Sequence, residues 1–376
     1  MRLGILPEQG GSIANLRRSG QDTRFVEQYL RLYLREFDEV HYFSYARERL
    51  DQPIAENFHL HPGSGTHRWL RAFLLPFVEA RSMRRLSVMR VLQATGALPA
   101  RLARLFFGVP FVVTYGYHYG DQYLIDAGPK GRWRARLLDR RAHWALRCAD
   151  GVIVTTPALA EFARRFAPAE RVALIPNSVD TARFSPAPEK STERLPRRRL
   201  IAVGQLTARK NNRLLLEAVA QTGRDDIEMV ILGAGPEEQS LRRLADEKGV
   251  TLNLPGVVSN DALPDRLRSA DIYLLTSLSE GHPKSLLEAM SVGLPCIGTD
   301  VKGIRDVVVS GETGWLCPLH PEAIAATINQ VLSDVPLARS VGTKARQFIL
   351  DHYDAKVIMA REVAFLKAIA RGSRGS

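Results

Sequence analysis

Residues 276–295 have the sequence TSLSEGHPKSLLEAMSVGLP, which predicts the end of a strand, a tight loop and a helix. Pro283 suits the first turn of that helix, because its φ is preset and its missing N–H would have no partner there. The run 285–291 is rich in strong helix formers, and Gly293 followed by Pro295 ends it. A strand that leads through a short loop into a helix is typical of a parallel sheet covered by helices.

The chemistry of this junction favours a ligand that carries a phosphate and hydroxyl pairs. Backbone N–H groups at a helix start, with the helix dipole behind them, favour a phosphate. Glu280 lies just before the helix and Glu288 lies inside it, and carboxylates accept hydrogen bonds from diols. Gly281 lets the backbone approach a ligand closely. These features indicate a sugar nucleotide, and the alternative is an ordinary junction with two solvated glutamates.

A second motif, VGQLTARKNN at 203–212, places two adjacent cations in a loop between a predicted strand and a predicted helix. Arg209 and Lys210 suit a diphosphate at that position, and the alternative is a solvated basic loop. Gly10, Gly11 and Gly204 also follow predicted strands. Ligands of parallel α/β sheets bind at such strand ends.

Short apolar strands alternate with helical patterns along both halves of the chain. The predicted strands are, in chain order, 3–6, 40–43, 88–92, 111–114, 152–155, 200–203, 229–232, 251–254, 271–276, 295–298 and 314–316. This alternation predicts an α/β fold with two Rossmann-like domains that face a central cleft. We expect an N-terminal acceptor-binding domain at 1–185, a proline- and charge-rich linker at 186–199, a nucleotide-sugar-binding domain at 200–352, and a C-terminal helix and tail at 353–376 that packs on the first domain.

The composition is that of a globular protein with an uneven positive charge. Lys and Arg number 52 against 40 Asp and Glu, and residues 1–195 carry +10 of the net +12. No apolar run reaches the roughly 18 residues of a bilayer span, and the stretch MRLGILPEQGG lacks the pattern of a secretory signal. Cys148, Cys296 and Cys317 are too widely spaced for a metal or redox motif, so we expect a reduced, cytoplasmic protein.

Two arginine-rich segments of the first half, 67–90 and 131–147, carry aromatic residues and leucine at helical spacing. Such a mixture suits an interfacial helix on anionic lipid, and the alternative for each is a core-facing helix with a solvated arginine face. Together they favour peripheral association with an anionic membrane surface, the inner face of the cytoplasmic membrane, and a membrane-borne acceptor. No nucleic-acid-binding module is recognised, so we expect no nucleic acid as partner.

Five motifs together resemble those of the family four retaining nucleotide-sugar glycosyltransferases, the group 1 glycosyl transferases of GT-B fold. They occur in family order and cover nearly all of residues 170–320: IPNSVDTARFSP, VGQLTARKN, ILGAGPEEQSLRRLA, SADIYLLTSLSEGHPKSLLEAMSVGLPCIGTD and SGETGWLCP. The resemblance implies a retaining hexosyltransferase with no cofactor and no metal, and no Asp-x-Asp pattern is present. It favours a UDP-sugar donor, with GDP-mannose next, and a saccharide or lipid-linked acceptor in cell-surface polysaccharide or glycolipid assembly.

The resemblance also implies roles for individual residues. Glu280 would contact hydroxyls of the donor sugar, Glu288 would hold the ribose diol, and Arg209 and Lys210 would neutralise the leaving diphosphate. The other donor-binding residues that it implies are Gly10, Gly11, Gly204, Gly281, His282, Pro283, Lys284 and Ser285.

The sequence departs from the family pattern at three places. Gln205 stands where the family often has arginine, and Arg209 would supply that charge; Asn211 stands where it often has glycine. Where the family often has a His-Gly pair, this chain has Tyr115 followed by Gly116, with His118 three residues after Tyr115. Either Tyr115 or His118 would take the catalytic role of that histidine, and the alternative for His118 is an exposed loop residue.

Two other functions are compatible with the same motifs. One is a nucleotide-sugar epimerase or hydrolase of the same two-domain fold, which would rearrange or release the sugar without an acceptor. The other is a catalytically silent nucleotide-sugar-binding scaffold, which the departures at Gln205 and Tyr115 suggest.

Overall fold

The computed structural model describes residues 1–50, 52–187 and 197–372, and the chain divides into two compact units. The first unit comprises Met1–Pro176 and Val357–Ser376, and the second comprises Asn177–Lys356. Residues 177–185, which we expected to close the first domain, belong to the second unit. Val179 pairs there with the end of the last helix of that unit, donating its N–H to the carbonyl oxygen of Tyr353 at 3.0 Å. Residues 188–196 of the predicted linker lie outside the described residues.

The first unit contains a seven-stranded parallel sheet in the order β3-β2-β1-β4-β5-β6-β7. Its strands are β1 Arg2–Leu6, β2 Glu39–Phe43, β3 Phe58–His61, β4 Val88–Val91, β5 Phe111–Tyr115, β6 Gly151–Val154 and β7 Val172–Leu174. Its helices are α1 Ile13–Arg18, α2 Asp22–Arg24, α3 Arg31–Glu36, α4 Arg68–Val78, α5 Ala80–Met83, α6 Leu98–Phe107, α7 Tyr119–Ala127, α8 Arg132–Cys148 and α9 Pro157–Ala163. A π-helical turn, Phe25–Leu30, joins α2 to α3.

The second unit contains a six-stranded parallel sheet in the order β10-β9-β8-β11-β12-β13. Its strands are β8 Arg198–Val203, β9 Ile227–Leu232, β10 Thr251–Gly256, β11 Ile272–Leu275, β12 Cys296–Thr299 and β13 Trp315–Cys317. Its helices are α10 Asn212–Gln221, α11 Glu238–Lys248, α12 Leu263–Arg268, α13 Lys284–Ser291, α14 Lys302–Arg305, α15 Pro321–Ser333 and α16 Val335–Tyr353. The last helix, α17 Ala355–Gly372, belongs to the first unit from Val357 onwards.

Both sheets reverse their strand order beside the first strand of the unit, at β1 and at β8. Ligands of doubly wound sheets bind outside the carboxyl ends of the strands at this switch point. In the second unit the switch point is formed by the ends of β8 and β11. The two motifs that the sequence singled out, 204–210 and 276–280, follow those two strands directly.

The predicted α/β fold is confirmed in both units, but the strands β3 and β7 were not predicted. β4, β5 and β6 are almost fully buried and mostly apolar, and they were predicted. β3 and β7 lie at the two edges of the first sheet and keep several side chains partly exposed. β3 alternates apolar residues with histidine, and β7 has only three residues, so neither gave the longer apolar run that predicts a buried strand.

A buried ion pair joins α17 to β4 of the first unit. Arg90 of β4 donates from Nε to Glu362 Oε1 at 2.6 Å, and the two side chains are 6% and 5% exposed. Tyr33 O–H donates to the same carboxylate oxygen at 2.5 Å. Burial and the adjacent Glu362 carboxylate raise the pKa of the Tyr33 phenol, which therefore stays a donor.

We expect Glu362→Ala to destabilise the first unit, because it leaves the Arg90 guanidinium buried without its carboxylate. Loss of one partner of a buried pair costs about 3–5 kcal/mol of unfolding free energy. Urea denaturation followed by circular dichroism measures the effect, with Glu161→Ala, an exposed glutamate of α9, as control. Equal midpoints for the two variants would contradict the assignment.

Candidate active site

The loops after β8 and β11 bring three predicted residues of the second unit together. Lys210 Nζ lies 2.5 Å from Glu280 Oε1, and an Arg209 terminal nitrogen lies 3.7 Å from Glu280 Oε2. Ser277 Oγ donates to Glu280 Oε1 at 2.7 Å. All three charged side chains are largely buried, with 8% of Glu280, 13% of Lys210 and 15% of Arg209 exposed. Two cations thus share one carboxylate, which leaves a net positive charge at the strand ends.

Backbone contacts hold these two loops against each other. Ala208–Lys210 form a turn of 3-10 helix, and Asn211 follows it with φ 51° and ψ 45°, in the left-handed region. Asparagine tolerates that region better than other non-glycine residues, which accounts for Asn211 where the family often has glycine. Thr276 Oγ1 donates to the Asn211 carbonyl oxygen at 3.0 Å, and Leu278 N–H donates to the Arg209 carbonyl oxygen at 2.8 Å.

Glu280 stays ionised although its carboxyl group is buried. Burial by itself would raise the pKa of this carboxyl. The charge and hydrogen bond of Lys210, with the Ser277 hydroxyl and Arg209, outweigh that effect and hold the pKa of Glu280 below its usual range. The carboxylate therefore stays ionised and can accept hydrogen bonds from hydroxyl groups.

The helix α13 begins at Lys284, and no side chain in the described part of the chain caps its N-terminus. The Pro283 carbonyl oxygen accepts hydrogen bonds from Leu286 N–H and Leu287 N–H at 3.2 and 3.3 Å. Ser285 Oγ accepts a hydrogen bond from Tyr273 O–H at 2.7 Å, which ties the helix start to β11. His282 is buried, and its Nδ1 has no hydrogen-bond partner among the described residues. Burial, with the nearby Lys284 charge, lowers the pKa of His282 to about 3, so the ring is neutral near pH 7.

Glu288 is 3% exposed inside α13, and Asn260 Nδ2 donates to its Oε1 at 3.4 Å. Asn260 itself is buried and lies in the loop between β10 and α12. Asn260 was not predicted, because nothing in the local sequence shows that the fold brings it to Glu288, 28 positions away. Gln205, by contrast, is exposed beside the motif and makes no contact with Glu280 that would replace an arginine.

Close approach of backbone, which only glycine permits, shapes this part of the second unit. A Cβ on Gly303 of α14 would lie 2.4 Å from the Glu280 carbonyl oxygen and 2.5 Å from that of Gly281. A Cβ on Gly233 would lie 1.9 Å from the Gly204 carbonyl oxygen. Gly303 therefore positions the Glu280 loop. No motif marked it in advance, because its role depends on the approach of α14.

In the first unit, Gly10 and Gly11 lie in the loop between β1 and α1, as predicted. Gly10 has φ 93°, and Gly11 N–H donates to the Glu8 carbonyl oxygen at 2.8 Å. The start of α1 already has an internal anion, because Glu48 accepts hydrogen bonds from Ile13 N–H and Ala14 N–H at 3.2 and 2.8 Å. The two glycines are thus placed at a strand end whose helix is capped by the protein itself.

Tyr115 and His118 form one hydrogen-bonded pair in the first unit. The Tyr115 oxygen lies 2.9 Å from His118 Nδ1, and burial raises the pKa of the phenol, so it keeps its proton and can donate to the ring. Tyr115 is fully buried in the core, whereas His118 caps α7 and is partly exposed. His118 is therefore the more accessible side chain of the two, and Tyr115 contacts its Nδ1.

Two family models match the chain. Residues 185–348 match the family described as glycosyl transferases group 1, and residues 13–178 match the glycosyl transferase 4-like domain. The chain belongs to the group 1 glycosyltransferases. Both the family and the GT-B fold expected from the motifs are confirmed.

Two sequence relatives illustrate the similarity. The Salmonella typhimurium protein named as the colanic acid biosynthesis glycosyltransferase WcaL is 30% identical over 214 residues, 54% of this chain and 52% of that protein. The GDP-mannose-dependent alpha-(1-6)-phosphatidylinositol monomannoside mannosyltransferase of Mycobacterium tuberculosis is 28% identical over 243 residues, 59% of this chain and 63% of that protein. The chain thus spans about half to two thirds of the length of these curated relatives.

Two solved structures share the fold over nearly the whole chain. Sucrose-phosphate synthase from Thermosynechococcus elongatus superimposes with a TM-score of 0.81 at 21% identity, covering 99% of this chain and 100% of that one. HepE of Anabaena, in complex with UDP-glucose, gives a TM-score of 0.75 at 16% identity, covering 97% and 98%.

We expect Glu280 to make the second unit sensitive to acid. Its folded pKa lies below the usual 4.5, so its charge stabilises the folded state above about that pH. This stabilisation is lost as the pH falls through the lower, folded pKa. Glu280→Gln should therefore unfold more easily than the parent at pH 7, and the difference should shrink below pH ~4.

Urea titrations of the folded protein at several pH values measure this dependence. Glu312→Gln, at an exposed glutamate of the same unit, is the control and should follow the parent at every pH. A constant difference between Glu280→Gln and the parent across the acid range would show that the carboxylate is not held as described.

Proposed function

We propose that this chain is a retaining glycosyltransferase that moves a hexose from a nucleotide-sugar donor to a saccharide or lipid-linked acceptor. The observation that carries the proposal is the cluster of Arg209, Lys210 and Glu280 at the switch point of the second sheet. Two cations and one carboxylate leave one positive charge in excess, which attracts a diphosphate. The carboxylate itself offers acceptors for sugar hydroxyls.

The second unit would bind the donor. Arg209 and Lys210 would neutralise the diphosphate, the start of α13 would meet sugar and phosphate through its N–H groups, and Glu280 would orient the sugar ring. Glu288 would accept the ribose diol. The remaining donor contacts in this unit would come from Gly204, Gly281, His282, Pro283, Lys284 and Ser285.

The first unit would bind the acceptor, and His118 would take the catalytic role in this unit. Gly10 and Gly11 would contribute to donor binding. The acceptor hydroxyl attacks the anomeric carbon from the face that the diphosphate leaves, so the configuration is retained. The bond between that carbon and the phosphate oxygen breaks, and the leaving phosphate takes the proton of the acceptor. The protein's contribution is charge stabilisation by Arg209 and Lys210, and no protein nucleophile or metal is needed.

A UDP-sugar is the favoured donor, and HepE, which shares the fold, holds UDP-glucose. GDP-mannose is the second candidate, because one sequence relative is named for its dependence on it. A thermal-shift screen with UDP-glucose, UDP-galactose, UDP-N-acetylglucosamine and GDP-mannose distinguishes them, since a ligand that binds the folded state raises the melting temperature. WcaL, named for colanic acid biosynthesis, supports cell-surface polysaccharide or glycolipid assembly as the process.

We expect Lys210→Ala and Glu280→Ala each to lower kcat by about 100-fold, because each removes a charged group that stabilises or orients the transition state. Glu288→Ala should raise the KM for the donor with a smaller effect on kcat. Release of nucleoside diphosphate from the donor that the screen identifies measures both constants. Arg213→Ala, an exposed arginine of α10, is the matched control.

Parental rates in Lys210→Ala would contradict the diphosphate clamp. Sugar release at the same rate with and without acceptor would instead indicate a hydrolase. Binding by calorimetry without any turnover would indicate a silent scaffold.

We also propose that the first unit binds an anionic membrane surface through an aromatic patch on α4 and α6. The patch consists of Leu70, Phe73, Phe77, Val78 and Phe106, all exposed, with Phe77 5.2 Å from Phe106 between ring centroids. Among the helices of residues 1–50, 52–187 and 197–372, none combines the length and apolarity of a bilayer span.

The helix α6, which carries Phe106 of the aromatic patch, also lines a groove that is rich in arginine. The groove has a volume of about 400 Å³ and is lined by Arg101, Arg104, Leu105, Arg147, Cys148, Asp150 and Arg171. Apolar side chains beside a row of guanidinium groups suit the boundary between lipid headgroups and acyl chains. A protein bound in this way would work on the cytoplasmic face of the membrane.

We expect the protein to sediment with vesicles that contain anionic phospholipid and not with neutral vesicles, and added salt should weaken binding. Phe73→Ser with Phe77→Ser should abolish most of the binding, because it removes the apolar contact. Val357→Ser, an exposed valine of α17, is the control. If the parent does not sediment at low salt, the membrane proposal is contradicted. The proposal for the donor site would not be affected.

A further inference from the structure

A cluster of three histidines and two glutamates lies at the β2–β3 edge of the first sheet. Its members, which we call the edge histidine cluster, are Glu39, His41, His59, His61 and Glu79. The His41 and His59 rings stack with centroids 4.7 Å apart. None of these residues belongs to the proposed donor or acceptor machinery.

The register of two parallel strands assembles the cluster. Side chains two apart on a strand share a face, so Glu39 and His41 of β2 point the same way. His41 pairs directly with His59 of β3, and His61 follows two residues later on the same face. Glu79 comes from the junction of α4 and α5 and meets His61.

Four of these groups form a continuous chain of hydrogen-bonding atoms. Glu79 Oε2 lies 2.9 Å from His61 Nδ1, and His61 Nε2 lies 3.0 Å from His41 Nδ1. His41 Nε2 lies 3.2 Å from Glu39 Oε2. The chain therefore has three short contacts between atoms that carry lone pairs or N–H groups.

Two neutral imidazoles supply only two N–H groups for these three contacts. The shorter contacts are satisfied when His61 donates to Glu79 and His41 donates to His61. The longest contact then sets the lone pair of His41 Nε2 against Glu39 Oε2, and these repel unless a positive charge lies between them. Glu39 already has Arg2 as a partner at 2.8 Å, but that guanidinium does not donate to the histidine nitrogen.

His59 lies beside Glu39 and His41, at the Glu39 end of this row of hydrogen-bonded side chains. One ligand atom from each of Glu39, His41 and His59 lies within 4.8 Å of the other two. In a tetrahedral zinc site with bonds of about 2.0–2.2 Å, neighbouring ligand atoms are somewhat over 3 Å apart. Two imidazole nitrogens and one carboxylate oxygen form a donor set that zinc accepts, with water as fourth ligand.

We propose that Glu39, His41 and His59 bind one Zn²⁺ ion, which would fasten the edge strand β3 to β2. His61 and Glu79 would be positioning residues. Histidine ligands commonly donate their second ring N–H to an oriented partner, and here His41 would donate to His61, which Glu79 holds in turn. The ion would stabilise the first unit and take no part in sugar transfer.

Isothermal calorimetry of the full-length, tag-free protein with ZnCl₂ after chelator treatment tests the proposal. We expect one ion per chain and a rise in melting temperature on addition of zinc. His59→Ala should weaken zinc binding by tenfold or more, and His59 is exposed, so the variant should fold. His67→Ala, at an exposed histidine of the same unit, is the control and should bind as the parent does.

The positioning role has its own readout. Glu79→Gln should reduce zinc affinity by about 10- to 100-fold. The absorption spectrum of the Co²⁺-loaded protein should show a tetrahedral site in the parent and in His67→Ala but not in His59→Ala. No zinc binding by the parent below 100 µM, or equal affinity in the parent and His59→Ala, would overturn the proposal. Neither result would bear on the sugar-transfer reaction.

Discussion

The ion pair between Glu280 and Lys210 is the constraint on which the strand ends of the second unit depend. A carboxylate that is 8% exposed would be costly if it lacked compensation, because burial removes its hydration. The two partners come from different loops, one after β8 and one after β11, so the pair fastens the two sides of the switch point together. The turn at Asn211 and its hydrogen bond with Thr276 then fix the position of the loop that carries the two cations.

The first unit uses a buried pair in a different way. Arg90 and Glu362 are both nearly inaccessible and neutralise each other, with Tyr33 completing the carboxylate's hydrogen bonds. That pair connects an inner strand to α17 and has no charge left for a ligand. At the second sheet, Arg209 adds a further cation to the pair of Lys210 and Glu280. This excess positive charge suits an anionic ligand, whereas the neutral Arg90–Glu362 pair is only a structural contact.

The N-termini of α1 and α13 also differ in whether a carboxylate of the protein caps them. The N–H groups of α1 are taken by the Glu48 carboxylate, which serves as an internal anion at the position where a phosphate would bind. At α13, the residue before the helix is Pro283, which has no N–H, and the preceding His282 ring is held neutral by burial. This contrast supports the assignment of the donor to the second unit in our proposal.

The sequence alone could predict the inner strands, because a strand buried on both faces is mostly apolar. It could also predict the loops with Glu280 and with Arg209 and Lys210, because each motif is contiguous and follows such a strand. The edge strands did not show this pattern, since β3 alternates apolar residues with histidine and β7 is only three residues long. The edge histidine cluster was not predicted either. Its members lie on β2, on β3 and beside α4, and only the strand register aligns them.

The sequence by itself determined the family, the two α/β units and the identity of the charged residues at the second switch point, because these depend on local pattern and on the order of motifs. Only the tertiary structure decided which atoms meet. It paired Lys210 with Glu280, brought Asn260 to Glu288 and Gly303 to the Glu280 loop, and gave His118 rather than the buried Tyr115 the accessible ring. These contacts join residues far apart in the chain, and their distances follow from how helices pack on the sheet, which no single stretch of sequence specifies.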